Sequence, residues 1–187
     1  MRSNRKSRTA FCAATAIGAS MLGARALATT YTWNGGGGNV NWSTGTNWVG
    51  GSAATSADTT DLVFQGTTNT GTSGTPLNQN ITSGFLFNSM TFASGASAFF
   101  IGGSSFAMGG SADGTVRTIT QSSSNTVSIT NNFGHAGGNN SRVLTLAGTG
   151  TGVVTLSGII SESTGGRQVG VAKNGSTSTF ILSGANT

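Results

Sequence analysis

The sequence predicts an all-β protein whose short strands stack into a β-solenoid. Short runs of β-branched and aliphatic residues recur, and each is closed by a small residue and a glycine: segments 143–148, 153–158 and 179–184 read VLTLAG, VVTLSG and TFILSG. Turn-forming Gly, Ser, Thr and Asn residues separate these runs. No segment after residue 28 carries apolar residues at helical spacing. A chain that repeats one small strand unit is expected to stack its strands.

Two architectures suit many short strands with small-residue turns, an antiparallel sandwich and a β-solenoid. The solenoid is favoured because Asn-Gly hairpin turns are missing between most of the runs. The three similar units also suggest equivalent positions on successive coils. We expect coils of roughly 20–30 residues and about six rungs. Apolar side chains, including Leu146 and Leu156, should then point inward, and Thr, Ser and Asn should form outward ladders.

Apolar or alternating runs predict the individual strands. They are segments 30–33, 61–64, 85–87, 90–92, 99–101, 106–108, 116–120, 126–130, 143–146, 153–156, 169–172 and 179–182. The polar segments 65–79 and 131–141 are predicted to be surface loops.

The first 28 residues have the layout of a secretory signal peptide. Basic residues precede an apolar run over about residues 10–24, and Ala26-Leu27-Ala28 offers the small residues that a signal peptidase reads. A membrane anchor fits less well, because polar residues interrupt the run and it is shorter than the ~20 residues of a spanning helix. We expect export, cleavage after Ala28 and a secreted or cell-surface location.

The charge of the chain argues against nucleic acid as a partner. The formal net charge is +5, but most of the bases lie in the predicted signal peptide. The four bases and four acids that follow it are Arg117, Arg142, Arg167 and Lys173, and Asp58, Asp61, Asp113 and Glu162. Nucleic-acid binding requires clustered Lys and Arg. The only cysteine, Cys12, also lies in this leader, so no disulfide is expected.

All three tryptophans, Trp33, Trp42 and Trp48, lie close together near the start of the predicted mature chain. They could form an aromatic platform on which glycans stack. They could instead form a hydrophobic plug that covers the exposed first edge of a strand stack. The plug is favoured, since a solenoid requires a capped end. We therefore divide the chain into a Trp-rich capping segment, 29–64, and repeating coils, 65–187.

No arrangement of residues predicts catalysis, a cofactor or a metal site. Glycoside cleavage requires two carboxylates that face one bond. Asp58 and Asp61 precede a strand in a Ser/Thr-rich loop, where capping of backbone N–H groups is expected. His135 is the only histidine and falls in a predicted loop, so a multi-histidine metal site is excluded. The sequence favours a protein that is not an enzyme.

Several segments resemble a known family. The segment 171–187, VAKNGSTSTFILSGANT, resembles the autotransporter-associated β-strand repeat, also called the passenger-associated transport repeat. That repeat has a Lys-small-Gly turn, a Thr-Leu-Thr-Leu-like strand and Ser-Gly-Ala-Asn-Thr. Phe180-Ile181 replaces the usual Leu-Thr, and Ser178 stands where glycine is common. Segments 31–36, 41–43, 47–48, 61–64, 87–92 and 156–160 are similar to the N-terminal portion of large exported proteins that carry these repeats.

The resemblance implies a right-handed parallel β-helix that is displayed as a passenger at a bacterial surface. In the family the repeat is linked to secretion and folding through the outer membrane, and it has no assigned catalytic residues. The implied partners are the outer-membrane translocation machinery and downstream passenger repeats. Family members are usually much longer, so we expect this chain to be truncated at its C-terminus, with an uncapped last coil. The alternatives are an adhesin-like module that binds glycans or surfaces and, more remotely, a polysaccharide-active β-helix enzyme.

Overall fold

The computed structural model describes residues 27–110, 115–137, 140–162 and 168–186. The predicted signal peptide lies almost entirely outside these residues. The described strands are β1 Thr29–Trp33, β2 Thr60–Phe64, β3 Leu77–Gln79, β4 Phe85–Leu86, β5 Ser89–Phe92, β6 Phe99–Gly103, β7 Phe106–Met108, β8 Thr115–Gln121, β9 Val127–Ile129, β10 Phe133–His135, β11 Arg142–Ala147, β12 Val153–Leu156, β13 Val169–Lys173 and β14 Thr179–Leu182. One short 3₁₀ turn, η1, spans Gly45–Asn47.

The strands form three parallel sheets in which the chain advances by one strand at each turn. Sheet A has the order β1-β2-β5-β8-β11-β13, sheet B the order β14-β12-β9-β6-β3, and sheet C the order β10-β7-β4. The chain visits A, B and C in turn and then starts again, so it winds as a parallel β-solenoid of about 5 turns. The predicted solenoid is therefore confirmed. The coil length also agrees with the prediction, since Ser178 Oγ donates to the carbonyl of Gly150, 28 residues earlier.

Like side chains stack along the inside of the solenoid. In sheet B the register places Leu77, Ile101, Ile129 and Leu156 in one buried row. In sheet C the row consists of aromatic rings, Phe85, Phe106 and Phe133. Leu146 and Leu156 point inward and are 3% and 1% exposed, as predicted.

The structure corrects the assumed equivalence of the repeated units. Segments 143–148 and 153–158 belong to β11 and β12, which lie in different sheets of the same coil. Segments 153–158 and 179–184 are equivalent, because β12 and β14 are paired from Val153 beside Thr179 to Leu156 beside Leu182. A short apolar strand that ends in glycine can form any of the sheets of a coil. Two similar segments can therefore lie in different sheets of one coil or in the same sheet of successive coils, and sequence similarity does not tell these cases apart.

Two predicted loops contain strands. The segment 65–79 ends in β3, and the segment 131–141 contains β10. Leu77 and Phe133 are each a single large apolar residue among polar neighbours, and both are fully buried. A strand of three residues needs only one or two inward side chains, which is too few to produce a recognisable alternation.

Glycine is required where one coil passes closest to the previous one. A Cβ atom on Gly158 would lie 2.0 Å from the carbonyl oxygen of Asn131, and one on Gly184 would lie 2.2 Å from the carbonyl oxygen of Gly158. These contacts are far shorter than van der Waals separation. They give a steric reason for the repeated Ser-Gly that follows β12 and β14.

The two ends of the solenoid differ. At the first coil, Trp48 forms an antiparallel bridge with Trp33, and Val49 N–H donates to Thr32 O at 2.8 Å, so the outer edge of β1 is covered. At the last coil, two apolar side chains of the inward rows lie partly in solvent: Val171 and Leu182 are each 40% exposed. The predicted capping segment, 29–64, contains β1 and β2, which are the first two strands of sheet A. The cap is therefore part of the solenoid and not a separate unit placed on its end.

Candidate functional site

The three predicted site residues, Trp33, Trp42 and Trp48, form one cluster at the capped end. Trp48 lies at the centre, with its ring centroid 5.1 Å from that of Trp33 and 5.5 Å from that of Trp42, both at 87°. Such edge-to-face pairs add to the stabilisation from burial alone. Trp42 also packs on Phe85 and Phe106, at 5.7 and 5.8 Å, and so joins the cluster to the core of sheet C.

Burial leaves no tryptophan face for a ligand. Trp33 and Trp42 are 0% exposed and Trp48 is 1% exposed. The indole N–H of Trp33 donates to Asn69 O at 2.9 Å, and that of Trp48 donates to Trp42 O at 2.8 Å. A stacking platform needs at least one exposed ring. The environment of the three rings is therefore that of the hydrophobic plug, and the alternative assignment of glycan stacking to them has no accessible surface to support it.

Two buried arginines lie where the chain passes from sheet C to sheet A. Arg117 Nη2 forms an ion pair with Asp58 at 2.7 Å and donates to Gly109 O at 2.8 Å. Arg142 donates through Nη1 to Asn140 O at 2.9 Å and through Nη2 to Gly110 O at 2.5 Å. We call Asp58, Arg117 and Arg142 the arginine corner. Its guanidinium groups satisfy carbonyl groups that the tight corner would otherwise leave buried without a partner.

The carboxylates have different partners from those expected. Capping of backbone N–H groups was predicted for Asp58 and Asp61. Asp58 instead pairs with Arg117, and Asp61 accepts hydrogen bonds from Asn88 Nδ2 at 2.8 Å and Ser89 Oγ at 2.6 Å. These partners lie on later coils, far away in the sequence, so local loop chemistry could not reveal them. The two carboxylates thus link coils.

His135 lies at the end of β10 and not in a loop. Its Nε2 atom is 2.6 Å from Asn140 O, and since a carbonyl oxygen can only accept, Nε2 carries the proton. Within the described residues, no group of three or more His, Cys, Asp or Glu side chains is arranged to hold a metal ion. Asp113 lies outside the described residues.

Comparison with known proteins adds no assignment: no family model, no curated protein and no solved structure matches this chain. Among the described residues there is no helix of sufficient length and hydropathy to cross a membrane. The fold and the geometry of its surfaces therefore carry the functional interpretation.

Proposed function

We propose that this chain is a non-catalytic structural segment of an exported, autotransporter-like surface protein, and that its coiled fold assists secretion and display. The observation that carries the proposal is the difference between the two ends of the solenoid. One end is closed by the tryptophan plug, whereas the other presents the edges of β13 and β14, where the inward-row residues Val171 and Leu182 are exposed. A capped start and an open edge suit a rod on which further coils stack.

The fold is suited to assembly during export. Strand pairing joins each coil only to the coils next to it. Two side-chain contacts, Arg117 with Asp58 and Ser178 with Gln121 O, reach across one intervening coil. Stability is therefore approximately a sum of neighbouring terms, and folding can propagate from one end. The only cysteine of the sequence, Cys12, lies before the described residues, so no disulfide joins the coils that the structure describes. A chain that emerges as an extended thread could therefore add one coil at a time to the surface of the previous one.

The polar groups inside the solenoid support a structural role. The guanidinium groups of Arg117 and Arg142 bond to carbonyl oxygens of the corner, and Gln79 Nε2 donates to Thr82 O at 2.7 Å. Each of these contacts holds the backbone of a turn. The partners of such a segment would be the outer-membrane translocation machinery and downstream passenger coils, and its location would be the cell surface.

A display assay tests the proposal with two variants of adjacent residues. The full chain would be fused to a translocating outer-membrane barrel in a Gram-negative host, and the fraction cleaved by protease on intact cells would be measured. Leu156→Asp places a carboxylate inside the solenoid and should reduce the displayed fraction several-fold. Thr155→Asp makes the same change on the half-exposed outer face of β12 and should display within about twofold of the unmodified chain. Equal display of the two variants would contradict a role for solenoid folding in secretion.

A further inference from the structure

A small groove lies on the outer face of sheet B. Its floor consists of outward residues of β6 and β9 and of Thr130, the residue after β9. Phe100 lies beside Ser128, and Thr130 lies next to Gly102. Its wall is the excursion that leads into β3, with Thr72, Ser73 and Pro76 facing the floor. The cavity volume is about 150 Å³. This is below the roughly 300–1,000 Å³ of pockets for drug-sized ligands, so we expect it to hold a single monosaccharide unit.

The wall is held rigidly against the sheet. Phe100 N–H donates to Thr70 O at 3.0 Å, and Thr72 and Thr75 exchange backbone hydrogen bonds at 2.9 and 3.2 Å. Gly102 is required for this arrangement, because a Cβ atom there would lie 2.9 Å from Pro76 Cγ. Pro76 can therefore fold over the sheet and form one side of the groove. A groove that exists before binding does not have to be ordered by its ligand.

The lining combines apolar rings with hydroxyl groups. Phe100 and Pro76 are half-buried, so each leaves part of a ring surface open. Thr130 Oγ1 donates to Ile101 O, and Thr72 Oγ1 accepts from Thr75 N–H. Ser73 and Ser128 keep hydroxyls that have no hydrogen-bond partner within the described part of the chain. Each hydroxyl can both donate and accept. A pyranose offers the complementary surface. Its C–H groups can pack against the rings of Phe100 and Pro76, and its hydroxyls can form hydrogen bonds with Ser73 and Ser128.

The same surface is a poor match for other ligands. No charged side chain lines the groove, so anionic ligands have no counter-charge there. An extended peptide would need free backbone groups at a strand edge. The groove instead lies on the face of β6 and β9, and both strands are already paired on each side, β6 with β3 and β9, and β9 with β6 and β12.

The surroundings allow a chain of sugars to continue beyond the groove. Thr72 also lines a second, more open depression of about 360 Å³ on the other side of the excursion, together with Val40, Asn69 and Thr75. In the opposite direction, Thr155 follows Ser128 on the outer face of the next strand. We infer that the groove of Phe100, Pro76 and Ser128 binds one unit of a neutral oligosaccharide, which would give the displayed rod an adhesive surface away from the tryptophan plug.

The test is a calorimetric titration of the full chain with neutral hexasaccharides, cellohexaose and maltohexaose, and with hexagalacturonate as an acidic probe of similar length. Binding of at least one neutral probe is expected. Phe100→Ala should weaken it at least tenfold, and Ser128→Leu, which fills the floor and removes a free hydroxyl, should do the same. Thr91→Ala, on the outer face of sheet A, is the control and should bind normally.

Thermal melting of each variant separates loss of binding from loss of fold. Ser128→Leu keeps the Phe100 ring in place, so the proposal can still be tested if Phe100→Ala does not fold. The inference is overturned if neither neutral probe binds at millimolar concentration, or if hexagalacturonate alone binds. It is also overturned if a folded Phe100→Ala or Ser128→Leu protein binds the neutral probe as tightly as the unmodified chain.

Discussion

Trp42→Ala is expected to lower the free energy of unfolding by about 3–5 kcal/mol, the usual cost of removing a large buried aromatic side chain. Trp42 has no exposed surface and contacts aromatic rings of the cap, of sheet A and of sheet C. Its removal leaves a cavity between the plug and the first coils. Denaturant unfolding, followed by far-UV circular dichroism, would measure the change.

A pair of phenylalanine variants tests the details of the plug. Trp42 Nε1 is buried without a hydrogen-bond partner among the described residues, whereas Trp48 Nε1 donates to Trp42 O at 2.8 Å. Trp42→Phe removes an indole N–H that has no acceptor, whereas Trp48→Phe leaves the buried carbonyl of Trp42 without the indole N–H that donates to it. Trp48→Phe should therefore be the more destabilising change by about 1 kcal/mol. The opposite order would show that the rings are not arranged as described.

Gly152→Ala is expected to destabilise the protein by about 3 kcal/mol or more, at the upper end of the cost of overpacking. A Cβ atom at this position would lie 2.0 Å from Asn125 O and 2.6 Å from Asn125 C. The obstacle is the backbone of the preceding coil, which cannot rotate away as a flexible side chain would. The two coils would have to separate, and this would weaken the pairing of β9 with β12.

Gly74→Ala provides the matched control for Gly152→Ala. Nothing lies within 4 Å of a Cβ atom built on Gly74, and its backbone does not adopt a positive φ. The melting temperature of Gly74→Ala should be unchanged or slightly higher, because alanine restricts the unfolded chain. If Gly152→Ala had the same melting temperature as Gly74→Ala, the close packing of the coils at Gly152 would be contradicted.

The sequence was sufficient for the architecture because a solenoid repeats its local rules. Apolar runs identified strands such as β5 and β12, alternation identified β8 and β9, and inward stacking placed Leu146 and Leu156 correctly. Periodicity failed for β3 and β10, whose burial depends on one apolar side chain each. Periodicity also did not show which similar segments pair on successive coils, because that depends on how many strands each coil contains.

The polar features could not be predicted, because each depends on contacts between residues far apart in the sequence. Arg117 and Asp58 are separated by 59 positions and meet only when separate coils stack. The groove requires Pro76 to lie over Gly102, and it involves three segments with no motif of their own. The sequence did contain one indication of the arginine corner. Arg117 and Ile119 are two residues apart in β8, so they lie on the same face of the strand, and if Ile119 points into the core then Arg117 does too.

Adding one coil tests whether the open end of the capped rod accepts further coils. A copy of residues 135–160, which contains β11 and β12, would be appended after Thr187 and would continue the register of the stack. It should cover Val171 and Leu182 and raise the melting temperature by at least about 4 °C, which corresponds to a stabilisation of roughly 1–2 kcal/mol for a chain of this size. The same residues appended in scrambled order should have no such effect. If the ordered and scrambled extensions melt alike, the edges of β13 and β14 do not accept another coil and the proposed role is contradicted.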